Sequence, residues 1–521
     1  MSNKAKVLFI YPNERHMSTV PPSIALFSQL LKDKGHEVGL FDTTFYEFDD
    51  EIKNSDTDSS KVKRLTARPI LEKDDDALHF EYYTSDPALD LRKKIIEFKP
   101  DLLAITCTET TFPRGLKLIK QTRDLGVLNI FGGVFPTFAP QLVMNNKEID
   151  ICCVGEGENA ITGLADKLAA GESYADVTNL WLRNPDGSIK KNKITDPVDI
   201  NLLPPVTDIG LFGEKRFYRP MGGKIRRLLP VETHRGCPYT CSFCNSPSQN
   251  RLYEQHSTKF FRKKSIKLVR DEIEQHVKKW KINYIAFWAD TFLAWNNKEF
   301  EEFCEMYQDF KIPFWCNTRI ETITEYKMKK LKDIGLDRVT FGLEHGNEKF
   351  RREVVKRNYS NEMAIRLMRV PAELEITHSV NNIIGFPGET RELAFDTIEL
   401  CRKFEKSDSF TCSTLVPFSG TEVRQMAESQ GLIHPETICS VHNSDASILE
   451  MPQWDKQDIA NLAKVFTMYI KFPRNRWPEI KKAETDNMLY DRLHAEFIDT
   501  FWSSKNNPMD KEVTDAAKGL F

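Results

Sequence analysis

The chain has 521 residues, a length that at roughly 150 residues per domain allows about three domains and excludes a single small binding module. Lys and Arg number 73 against 76 Asp and Glu, a net charge of −3, so no global basic field exists to hold a phosphate backbone or an anionic membrane by charge alone, and nucleic acid is not an expected partner. Hydrophobic residues make up 40% and charged residues 29%, the balance of a soluble globular protein with 34 Phe available for packing. The opening MSNKAKVLFIYP has one short apolar run ended by Pro12 and no small-residue cleavage site after it. No later stretch approaches about 18 apolar residues. A cytoplasmic protein with no membrane partner is the expectation.

In chain order, Lys6–Tyr11 reads as a buried strand, Pro22–Lys34 as a helix ending at Gly35, and Glu37–Asp42 as a second strand. The segment Glu47–Ser85, rich in Asp, Ser and Lys, keeps neither period and reads as a surface insertion or a disordered loop. Pro87–Phe98 reads as a helix, Asp101–Cys107 as a strand, Arg114–Arg123 as a helix, Asn129–Phe131 as a strand feeding Gly132-Gly133, Ile149–Val154 as a last strand and Glu158–Ala170 as its helix. Strands alternating with helices make a doubly wound Rossmann-like sheet the expected fold of residues 1–172, with ligands at the carboxyl ends of its strands. Residues 173–225 read as a hairpin, Trp181–Ile189 around the turn Asn184-Pro-Asp-Gly187, and a linker over Asp196–Pro220.

Residues 226–425 resume the alternation. Candidate strands are Leu229–Thr233, Tyr284–Trp288, Phe314–Asn317, Arg338–Leu343, Thr377–Ile384 and Phe410–Val416, and six βα units suit a complete or partial barrel. Residues 426–521 turn helical, and Ile459, Leu462, Ala463, Phe466 and Ile470 share one helix face, read as an accessory region.

Eleven cysteines are too few for a disulfide scaffold, but Cys237, Cys241 and Cys244 sit at C-x3-C-x2-C spacing directly after a strand, where one loop aims three sulfurs inward at one point. Soft thiolates select zinc or an iron–sulfur cluster. A closed zinc site needs a fourth ligand, and the loop has none; the competing reading is a zinc knot completed by a distant Cys304, Cys316 or His234. Three thiolates on a [4Fe-4S] cluster leave one iron open to a substrate.

The triplet, with an aromatic residue before its last cysteine and six βα units after it, resembles the radical S-adenosylmethionine superfamily, and within it the branch with an N-terminal cobalamin-binding domain. The resemblance covers about Lys6 to Gly420. It implies that S-adenosylmethionine chelates the open iron and that an electron, from a donor such as flavodoxin or ferredoxin, yields a 5′-deoxyadenosyl radical. It also implies site residues at the barrel strand ends: Asp290 near the methionine amino group, although Ala289 departs from a frequent Asp-Asp pair, Arg319 near a carboxylate or the cluster, Glu344 at the ribose hydroxyls, and Ile384 with Gly385 against adenine. A surface ion pair is the plain reading of Arg319.

A flat macrocycle needs an apolar floor, small residues where backbone comes close, and polar donors. The first domain's strand-end loops offer Asn13, Thr108, Glu109, Gly132, Gly133, Thr137, Gly155, Glu156 and Gly157, a set similar to the family's, with Phe135 where histidine is frequent. Asp-x-His-x-x-Gly is absent, and the resemblance implies cobalamin with its lower base displaced and no histidine on cobalt; His16 reads as a surface residue. The resemblance implies methylation of an unactivated carbon, or a phosphinate phosphorus, of a small molecule or peptide. The alternatives are a radical rearrangement or ring-forming oxidation, and a non-catalytic protein with a structural cluster.

Overall fold

The computed structural model describes residues 4–14, 19–47, 65, 67–68, 82–205, 207–440 and 446–502; His16 and most of the Glu47–Ser85 segment lie outside them. The first sheet has seven strands: β1 (Lys6–Tyr11), β2 (Glu37–Asp42), β3 (Leu102–Thr106), β4 (Leu128–Gly132), β5 (Ile151–Cys153), β6 (Leu180–Arg183) and β7 (Ile189–Lys191). Val7, Leu8, Phe9 and Ile10 are all buried, because β1 lies between parallel neighbours with helices on both faces. The order β2-β1-β3-β4-β5 is parallel throughout, and the β6–β7 hairpin extends its edge antiparallel. The order reverses between β1 and β3, and at such a switch point the carboxyl-end loops diverge and leave a crevice.

The second sheet joins an edge hairpin, β8 (Tyr218–Met221) and β9 (Lys224–Glu232), to five more strands. These are β12 (Tyr284–Trp288), β13 (Phe314–Arg319), β14 (Leu336–Glu344), β15 (Thr377–Ile384) and β16 (Ser409–Thr414). A two-stranded ribbon, β10 (His234–Arg235) and β11 (Arg262–Lys263), stands apart. The order β16-β15-β14-β13-β12-β9-β8 is an open half-barrel with six parallel strands. Its helices are closed by ordinary caps: Ser265 accepts from Leu268 N, and Asn296 with Glu299 forms a capping box.

The segment Asp196–Pro220 carries more structure than its lack of periodicity predicts. Ile209–Phe212 and Glu214–Phe217 are 3₁₀ turns, too short to show any period, and β8 begins within the segment at Tyr218. Between the turns and the first sheet, the fully buried Arg216 faces Asp42 at 3.5 Å. The C-terminal helix Lys456–Lys471 buries the expected face against the half-barrel, and Thr467 Oγ1 donates to the Phe410 carbonyl at 3.0 Å. One continuous apolar core runs from the first sheet through the half-barrel into this helical region.

Candidate functional site

The loop that follows β10 buries Cys237 and Cys241 and half-buries Cys244. Each sulfur is met by a donor: Thr291 Oγ1 lies 3.4 Å from Cys237 Sγ, Arg319 Nη1 donates to Cys241 Sγ at 2.9 Å, and the Ser246 amide donates to Cys244 Sγ at 3.5 Å. Burial pushes the Cys244 thiol up to about 11 and raises that of Cys237, so a positive partner is needed before either becomes a thiolate. Among the described residues no group of three His, Cys, Asp or Glu side chains is arranged to hold a single metal ion. Three sulfurs on one loop, each with its own hydrogen-bond partner, suit ligands on different corners of a cluster.

Four barrel strand ends surround this loop. Asp290, after β12, accepts a hydrogen bond from Ser246 Oγ, and burial raises its carboxyl. Arg319, the last residue of β13, is 5% exposed, so it is no surface ion pair; Nε and Nη2 bind Glu321 and its guanidinium stacks 3.9 Å from the Tyr239 ring centroid. Glu344 ends β14 after a register shift and has φ +69°, a left-handed conformation rare outside glycine. Burial raises its carboxyl, against the pull of Arg357 at 3.1 Å and of Arg319. After β15, Glu389 organises the turn: Oε2 accepts from the Gly385 and Phe386 amides at 2.6 and 2.9 Å, while Oε1 meets the fully buried His345 at 3.1 Å. Ile384 is buried and Gly385 packs toward Ile459 of the C-terminal helix.

Between the two sheets lies a cavity of about 720 Å³. Its first-domain wall is apolar and close to backbone, with Gly132, Gly133, Thr137, Gly155, Glu156 and Gly157 at the strand ends. Gly133 has φ +118°, and a Cβ there would collide with the Cys107 carbonyl oxygen. Gly155 has φ +89°, and a Cβ would stand 2.5 Å from the Tyr253 hydroxyl. Thr137 holds the two loops together, donating to Gly133 O at 2.8 Å and accepting from Gly155 N at 3.1 Å. The half-barrel contributes Cys244, Asp290 and Trp288, which is 43% exposed.

Arg319, Glu344, Ile384 and Gly385 stand around the cysteine loop without lining this cavity, and three expected residues of the first domain are not brought to it either. Asn13 is turned inward to Thr44 at 2.8 Å, and Thr108 is exposed and bonded within its own turn. Glu109 accepts from the Ser419 and Cys439 amides at 2.7 and 2.9 Å, tying the first domain to the turn after β16. Sequence reasoning passed over Arg235, which lines the cavity and joins the cysteine loop to Glu156 at 2.9 Å and Glu158 at 2.6 Å. Burial works against the Glu156 carboxylate, but Arg262 and Arg235 outweigh it and hold it below the usual range. The signal was present: Arg235 stands two residues before Cys237. Tyr253 had no motif to mark it, and Glu389 closed the Asn382–Glu389 run after the fifth barrel strand without a role of its own.

A doubly wound domain and a half-barrel with a three-cysteine loop, sharing one cavity, define a class of cofactor-dependent radical proteins. The chain matches the radical SAM superfamily model over residues 231–401 and the B12 binding domain model over residues 76–165. It belongs to the cobalamin-dependent radical S-adenosylmethionine enzymes. It is 27% identical over 339 residues to the anaerobic magnesium-protoporphyrin IX monomethyl ester cyclase of Rubrivivax gelatinosus, a match covering 63% of this chain and 59% of the relative. The chain thus spans less than two thirds of that relative's length. It is 22% identical to the cytidylyl-2-hydroxyethylphosphonate methyltransferase of Streptomyces wedmorensis, across 90% of this chain and 91% of the relative. The fold is similar to that of the methyltransferase TsrM from Kitasatospora setae, with TM-score 0.59, 19% identity, and coverage of 83% of this chain and 76% of that one. Among the described residues no helix is long and apolar enough to cross a membrane.

Proposed function

We propose that this protein methylates an unactivated carbon, or a phosphinate phosphorus, of a small molecule or peptide. The observation that carries the reading is the shared cavity: the glycine-lined strand ends of the first sheet and Cys244 with Asp290 of the half-barrel face the same space. When bound, the cluster with S-adenosylmethionine would supply a radical for hydrogen abstraction, and the corrinoid would supply the methyl group. The residues of the chain then have distinct tasks. Cys237, Cys241 and Cys244 would hold the cluster. Asp290, braced by Ser246, would accept from the methionine ammonium, Glu344 would take the ribose hydroxyls, and the Gly385 turn, fixed by Glu389, would offer flat backbone to adenine. Gly132, Gly133, Gly155 and Gly157 let a macrocycle lie against backbone, with Thr137 locking the loops that carry them. The walls exclude water and hold both reactants at fixed separation. A flavodoxin or ferredoxin supplies the electron in the cytoplasm.

Similarity to a ring-forming enzyme keeps a non-methylating oxidation as the second reading. Reduced, reconstituted protein with bound cobalamin separates the two. Methyl transfer releases S-adenosylhomocysteine as well as 5′-deoxyadenosine; 5′-deoxyadenosine alone would favour the oxidation.

A further inference from the structure

We propose that Arg319 sets the reduction potential of the cluster by donating a charged hydrogen bond to the Cys241 sulfur; this rests on the cluster reading above. Arg319 Nη1 stands 2.9 Å from Cys241 Sγ, and the residue is 5% exposed, so neither solvent nor salt screens the contact strongly. The guanidinium is held from two other sides. Its Nε and Nη2 bind Glu321, and its face lies 3.9 Å from the ring centroid of Tyr239, which belongs to the cysteine loop itself. Three contacts leave the planar fork no second orientation, so Nη1 stays aimed at the sulfur.

Among the described residues the hydrogen-bond partners of the other two sulfurs are neutral. Cys237 has the neutral Thr291 hydroxyl and Cys244 the neutral Ser246 amide. Among these three contacts the charged donor is at Cys241, so the sulfurs are electrostatically unequal. A reduced cluster carries one more negative charge than an oxidised one, and a cation bonded to a ligand sulfur stabilises the reduced form more. Arg319 therefore raises the potential and makes reduction easier. One electron enters from a low-potential donor, dithionite in the experiment.

The test is a potentiometric titration, read by paramagnetic resonance of the reduced cluster, on anaerobically reconstituted wild type, Arg319→Lys and Arg319→Met, with iron and sulfide counted in each. The expected order of midpoint potentials is wild type highest, Lys intermediate and Met lowest, with the line shape altered in both variants. Should the Met variant lose its cluster, the Lys variant decides, because it keeps charge and bulk while losing the fork. An intact cluster with unchanged potential in the variants overturns the proposal and leaves Arg319 as a residue that pins the loop. A wild type that takes up no iron and sulfide overturns the cluster reading on which it stands.

Discussion

The carboxyl ends of the two sheets face one cavity but build their walls differently. Around the half-barrel loop the expected residues act through side chains: Asp290 on Ser246, Arg319 on Cys241, Glu344 with Arg357, each buried or braced by a charged neighbour. On the first sheet backbone reaches the space at Gly132, Gly133, Gly155 and Gly157, beside apolar side chains such as Phe27 and Ile130, while Asn13, Thr108 and Glu109 are occupied elsewhere. A compact ligand of high charge is recognised by placed functional groups, whereas a broad flat ligand is recognised by the closeness of the backbone.

The largest effects expected break the half-barrel side. Replacing Cys237, Cys241 or Cys244 by Ala should abolish cleavage of S-adenosylmethionine and lower the iron count, measured as 5′-deoxyadenosine and bound iron per chain; undiminished cleavage in any one variant removes that cysteine from the site. Glu389→Ala should destabilise by about 3–5 kcal/mol in denaturant titration, because it leaves His345 Nε2 and two amides without a partner in a dry interior. A cost below about 1 kcal/mol would mean that the turn after β15 holds itself.

The first sheet should answer differently. Gly133→Ala should cost about 1–3 kcal/mol and sharply weaken cobalamin binding, since the new Cβ meets the Cys107 carbonyl in a backbone conformation that disfavours side chains. Thr108→Ala should change stability by less than about 0.5 kcal/mol and leave cobalamin affinity unaltered. Equal losses in the two would erase the contrast between backbone and side-chain recognition.

A further effect is expected on acid stability. Burial depresses His234 to about 3 and His276 to about 4, below the value of roughly 6.5 in an unfolded chain. The unfolded chain then binds protons that the folded one refuses, so stability is full above about pH 6.5 and declines as the pH falls toward 4. The raised carboxyls of Asp290 and Glu344 have the opposite sign and partly offset this. His276→Leu should flatten the decline, measured by thermal unfolding across that range; an unchanged slope would acquit this histidine.

How much of this was legible in the sequence follows the same division. Strands such as KVLFIY announced themselves by β-branched and aromatic runs, and the cysteine spacing marked the loop without any structure. Arg319 was legible as a strand-end residue, but its reach to Cys241, 78 positions away in sequence, depends on how β13 and the loop after β10 are juxtaposed. Glu109 misled for a related reason: a polar residue in a strand-end loop looks like a ligand contact, and only the fold brings it to Ser419. Glu389, four residues past Gly385, is an ordinary Glu in sequence and gains its role from a turn that aims two amides at it.

The central claim is that one cavity serves both cofactors, and paramagnetic resonance of a single frozen sample tests it most directly. Protein reconstituted with iron, sulfide and cobalamin and then reduced should give a cluster signal and a cobalt(II) signal broadened by mutual dipolar coupling, with no nitrogen splitting on cobalt. Two sharp, independent signals would contradict the shared cavity, and nitrogen splitting would contradict a corrinoid held by backbone glycines with its lower base displaced.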